Sequence, residues 1–190
     1  MNPITETNVR LIQVSFPRTG STVLSNILQG LFYPTEPLRY GRFTTKLNVK
    51  KLLSNSFVIK THNRLVTELI NEYCGNTYEY WIISSNRSGK IFRCNHSNFI
   101  SFDYDQLLET ETNPIEMIVN MVAQKIKTVL PVVITDQMDV NGSINRIKEM
   151  NAFYEKIKNE PFKYSDLFYR IHGHHRNRKQ YLASQSTQVT

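Results

Sequence analysis

Cysteine is scarce in this chain: 190 residues hold two, Cys74 and Cys94. Two thiols that far apart make neither a disulfide framework nor a metal knuckle, and they suit a reducing compartment. No apolar run approaches the roughly 20 residues that span a bilayer. The opening Met1-Asn2-Pro3-Ile4-Thr5-Glu6-Thr7-Asn8 has neither the basic start nor the apolar core of a secretory leader. A soluble, cytoplasmic protein is therefore expected. Internal repeats are missing, as is any linker that would divide two domains. Acidic residues are outnumbered, with 16 Asp and Glu against 23 Lys and Arg, a net charge of +7. That balance favours anionic partners without choosing among nucleotides, acidic glycans, nucleic acid and anionic membranes.

What is present suffices for a folded domain. Hydrophobic residues make up 40% of the chain and aromatics 11%, above what a disordered segment carries. One domain over 1–190 is expected, with flexible ends at 1–8 and from about 184. The first half alternates strand and helix. Strands are expected at 9–16, 56–59, 78–85 and 98–103, and helices at 21–32 and 65–73, with a loop or lid over 33–48. Such alternation implies a three-layer α/β/α arrangement around a central parallel sheet, with ligands at the C-terminal ends of the strands. The second half is more helical. Asn113 is a candidate cap for a helix opened by Pro114, with Ile115, Ile118, Val119, Val122 and Ile126 on one face. Ser143 is a candidate cap for another, which Pro161 closes.

The richest segment is Pro17-Arg18-Thr19-Gly20-Ser21-Thr22, which joins the first strand to the first helix. Unpaired N–H groups and the helix dipole converge at such a turn. Arg18 adds charge, and Ser21 and Thr22 add donors, so the turn suits a phosphate or sulfate. It is not a Walker A loop, because Gly20 is followed directly by Ser21 and the phosphate-bridging Lys is missing. Lys60-Thr61-His62 follows the second expected strand. There His62 suits a general base, and Lys60 suits stabilisation of developing negative charge. Arg87, in the turn Asn86-Arg87-Ser88-Gly89-Lys90, is placed to bind a second phosphate. The run His172-Gly173-His174-His175-Arg176-Asn177-Arg178-Lys179 fits no zinc motif, so no metal is expected. Arg176 and Arg178 are candidate anion-gripping residues, with a solvated basic tail as the competing reading.

This constellation resembles the sulfotransferases that use 3′-phosphoadenosine 5′-phosphosulfate (PAPS), whose fold is P-loop-NTPase-like. Pro17-Arg18-Thr19-Gly20-Ser21-Thr22 matches that family's 5′-phosphosulfate turn residue for residue, and Lys60-Thr61-His62 matches the segment that carries its base. Arg87 is similar to the family's 3′-phosphate arginine. The resemblance covers roughly residues 9–105. It implies His62 as catalytic base assisted by Lys60 and Arg18, with PAPS as donor and a small-molecule, lipid or glycan acceptor. The serine that helps the arginine is displaced: the spacing falls on Asn95, with Ser97 nearby. The Arg-Lys-Gly…Gly-Asp-Trp-Lys loop of the cytosolic enzymes has no counterpart, and Arg176 and Arg178 are candidates to replace it. Two rivals stand beside this reading. One is a nucleotide-dependent kinase of P-loop type, for which Asp103 is the best metal-holding acid. The other is a non-catalytic binder of nucleic acid or sulfated polymer, with Tyr169 and Tyr181 near the basic run. Nucleic acid is the less expected partner, and the oligomeric state stays open.

Overall fold

A computed structural model of the chain describes residues 7–17, 19–33, 53, 56–62, 77–108 and 113–157. Four strands among them, β1 (Val9–Val14), β2 (Val58–Thr61), β3 (Glu79–Asn86) and β4 (Phe99–Asp103), form one parallel sheet in the order β2-β1-β3-β4. The first strand therefore lies inside the sheet. The chain leaves β1 toward one edge and leaves β3 toward the other, which opens a crevice past the C-terminal ends of β1 and β3. In open α/β sheets that switch point is where ligands bind.

Side chains alternate along each strand and give the sheet two apolar faces. On one face Leu11, Trp81, Ile83, Ile100 and Phe102 pack against helices α1 (Ser21–Phe32), α2 (Ile115–Lys127) and α4 (Val140–Ile157), and the short α3 (Val132–Thr135) adds Ile134. On the other, Ile12, Val14, Ile59, Tyr80 and Ile82 are covered, among the described residues, by Leu53 and Phe92. Every residue of β1 is buried, as expected of a parallel strand covered on both sides. Helix α1 is sandwiched between the sheet and α4. Gly30 lets the two helices touch, since a Cβ there would lie 2.8 Å from the Ser143 Cα. The Ser143 hydroxyl then donates to the Ile27 carbonyl at 3.1 Å.

Three local expectations change. Strand β2 continues through Thr61, so Lys60 belongs to the sheet rather than to the loop beyond it. Asn113 does not cap α2. Its amide donates to the Gln106 and Leu107 carbonyls, both at 3.4 Å, and Pro114 stands at the N-cap. Helix α4 starts three residues before Ser143, where Asp139 Oδ1 accepts the Gly142 N–H at 2.7 Å. Ser143 is buried against α1 instead of capping, because its small side chain suits the close crossing. The expected helix over 65–73, the stretch 34–48 and the C-terminal tail lie outside the described residues.

Candidate functional site

The turn between β1 and α1 is held by hydroxyl groups. Ser15 Oγ accepts the Ser85 N–H at 2.9 Å and meets Ser85 Oγ at 3.1 Å. Ser85 Oγ in turn lies 3.1 Å from Thr19 Oγ1, which donates to the Phe16 carbonyl at 2.8 Å. Thr19 is fully buried, and its hydroxyl ties the turn to β3. Gly20 follows in the left-handed region at φ +74° and forms the N-cap of α1 without any side-chain cap. The ring of Tyr104 lies against it, leaving no room for a Cβ. The first N–H groups of α1 lack intrahelical acceptors by the geometry of any helix start. No acidic residue occupies that first turn.

Lys60 lies beneath this helix start. Its register partner on β1 is Gln13, whose amide donates to the Ser21 carbonyl at 2.5 Å. Lys60 Nζ donates to Thr22 Oγ1 at 3.0 Å and is 7% exposed. Among the described residues no carboxylate pairs with it. Burial pulls its pKa from 10.5 down to about 8. A buried ammonium thus lies beside the positive end of a helix dipole, an arrangement that favours a negatively charged ligand.

His62 follows β2 on the same edge, half-buried. Its Nδ1 lies 2.6 Å from the Ser15 carbonyl oxygen. A carbonyl can only accept, so Nδ1 carries the proton and Nε2 is the basic nitrogen. Burial lowers its pKa below 6.5, the Ser15 bond opposes that shift, and the Lys60 charge adds to the lowering. The imidazole is accordingly neutral at pH 7, the form a general base needs.

Arg87 lies just past β3, in a turn closed by paired backbone bonds with Lys90 and carrying Gly89 at φ +75°. Lys90 Nζ donates to the Pro17 carbonyl at 3.2 Å, which ties this turn to the one between β1 and α1. The Arg87 guanidinium stacks over the Tyr104 ring, 4.8 Å from its centre, and pairs with Asp105 at 2.9 Å. Tyr104 thus touches both Gly20 and Arg87. It begins a π-helical turn, Tyr104–Leu108, directly after β4.

Pro17, Thr19, Gly20, Ser21, Thr22, Lys60, His62 and Arg87 therefore share the C-terminal edge of the sheet. Asn95 and Ser97 do not. The chain returns from β3 to β4 as an extended segment, pinned where Asn86 Oδ1 accepts the Phe92 N–H at 2.9 Å and where His96 stacks on Tyr80 at 4.5 Å. Asn98 O then accepts the Ile82 N–H at 2.8 Å. That level is three residues short of Ser85, about 10 Å down the strand. The spacing that pointed to Asn95 and Ser97 assumed a helix, whereas this stretch is extended and leads away from Arg87. Arg18, Arg176 and Arg178 lie outside the described residues. Sequence reasoning missed Ser15, Ser85, Tyr104 and Asp105. For the last two, their place directly after a strand of the parallel sheet was the available signal.

Among the described residues no group of three or more His, Cys, Asp or Glu side chains is arranged to hold a metal ion, and no helix is long and apolar enough to cross a membrane. Comparison with known protein families, curated proteins and solved structures finds no match.

Proposed function

We propose that this chain is a PAPS-dependent sulfotransferase with a three-layer, P-loop-like fold, acting on a hydroxyl or amine of a small-molecule, lipid or glycan acceptor. The observation that carries the reading is Lys60, a buried ammonium under the N-terminus of α1 without a carboxylate partner among the described residues. A buried cation there fits a ligand that brings negative charge.

The chain's own residues divide the work. The first N–H groups of α1, with Gly20 holding the turn open, cradle the 5′ anionic group. Lys60 lies where negative charge would build during transfer and stabilises it. His62, neutral and with Nε2 basic, accepts the acceptor's proton. Arg87 binds the 3′-phosphate and so distinguishes the donor from nucleotides without one. PAPS, when bound, supplies an activated sulfuryl group whose transfer passes through a loose transition state of the phosphoryl-transfer kind.

The kinase reading is weaker on a specific contact. Asp103, its best metal-holding acid, accepts the Gln106 N–H at 2.9 Å and so caps the turn after β4. The direct test is transfer of labelled sulfate from PAPS to a panel of glycan, lipid and phenolic acceptors. Transfer to one class that disappears in His62→Gln supports the proposal. Phosphate transfer from ATP in place of sulfate transfer favours the kinase.

A further inference from the structure

The geometry points to Asp105 as a built-in anion that occupies Arg87 and makes this arginine select ligands already anchored at the α1 turn. The inference rests on the donor-site reading above and concerns a residue that reading does not use. Arg87 is fixed on two sides: its face lies on Tyr104, and its Nε donates to Asp105 Oδ1 at 2.9 Å. Among the described residues no other side chain bonds the guanidinium, so its Nη edge is the side left for a phosphate. Both partners are about half exposed, at 44% and 46%, so the pair is weak and exchangeable.

A lone anion arriving from solvent meets an arginine whose charge is already balanced and gains little. A nucleotide held by its 5′ group at Gly20 presents its 3′-phosphate at high effective concentration, and can share or displace the carboxylate. Tyr104, in contact with both Gly20 and Arg87, fixes the distance between the two anion positions. Asp105 therefore lowers the affinity for the 3′-phosphate while sharpening the preference for a two-point ligand over a free anion.

The test is calorimetry on wild type, Asp105→Asn and Asp105→Ala with 3′-phosphoadenosine 5′-phosphate, adenosine 5′-phosphate and inorganic phosphate. Glu116→Gln removes the same charge from a distant exposed pair with Lys148 and serves as control. Both Asp105 variants should bind the 3′-phosphorylated nucleotide about threefold tighter or more. Their affinity for adenosine 5′-phosphate should not change, and inorganic phosphate should gain measurable binding. Unchanged or weakened binding of the 3′-phosphorylated nucleotide overturns the inference, as does an equal gain for both nucleotides or a gain of the same size in Glu116→Gln. If wild type and every variant bind neither nucleotide, the donor-site reading itself is overturned, and the role of Asp105 with it.

Discussion

Tyr104 stands where a side chain on Gly20 would have to go: a Cβ built at Gly20 would lie 2.1 Å from the ring's Cδ2. The turn, the helix start and the arginine at the end of β3 are thereby organised around one aromatic ring. Gly20 serves twice, since its φ of +74° is also one that L side chains rarely adopt.

Gly20→Ala should therefore destabilise the fold by about 1–2 kcal/mol from backbone conformation alone, and by more once Tyr104 is displaced. Urea denaturation measures this. The same variant should lose anion binding even at temperatures where it remains folded, because the N–H groups of the helix start are re-aimed.

Lys60→Met should separate stability from function. Removing a buried charge that has no carboxylate partner among the described residues should stabilise the protein at pH 7 by about 1–2 kcal/mol after loss of the bond to Thr22, while nucleotide binding collapses. The pH dependence has a definite sign. The folded pKa of about 8 lies below the 10.5 of the exposed side chain, so between those values the unfolded chain holds more protons. Wild-type stability should rise across that window, by at most about 3 kcal/mol, and Lys60→Met should lack this component.

The rate should follow a bell in pH. Its acidic limb belongs to His62, whose pKa is pushed below 6.5 mainly by burial, and activity rises as the imidazole loses its proton. The alkaline limb in kcat/KM belongs to free-enzyme Lys60, near pH 8. In kcat that limb should move upward, since a bound anion favours the ammonium. His62→Gln should cost about 10²–10⁴ in kcat with nucleotide affinity retained.

Much of this site is legible in the sequence because it sits on strong local signals. A strand, a Gly-containing turn and an apolar-periodic helix place residues 14–24 without tertiary information, and Lys60 and Arg87 follow from strand ends. What escaped depends on contacts between distant segments. The inward turn of the Thr19 hydroxyl depends on Ser85, 66 positions away, which meets it. Asn95 and Ser97 were placed by a helical spacing, while Asn86 and Tyr80 hold that stretch extended. Tyr104 and Asp105 lie in a short π-helical turn with no periodicity to reveal it. Asn113 and Ser143 have the chemistry of helix caps, but tertiary partners claim both side chains.

Gly30→Ala checks the packing that positions the helix start. An added methyl meets Ser143 backbone and hydroxyl, both 2.8 Å away, so α1 and α4 must separate. A loss of about 1–3 kcal/mol is expected, read as a lower urea midpoint with an unchanged slope.

The most direct test of the account is calorimetric titration of 3′-phosphoadenosine 5′-phosphate into wild type and Lys60→Met at pH 7. The account predicts saturable one-to-one binding to wild type, weakened at least about 100-fold in Lys60→Met, as expected when a charge-assisted contact in a buried site is lost, with the variant melting no lower than wild type. Failure of the wild-type protein to bind, or equal binding by a folded Lys60→Met, would contradict it.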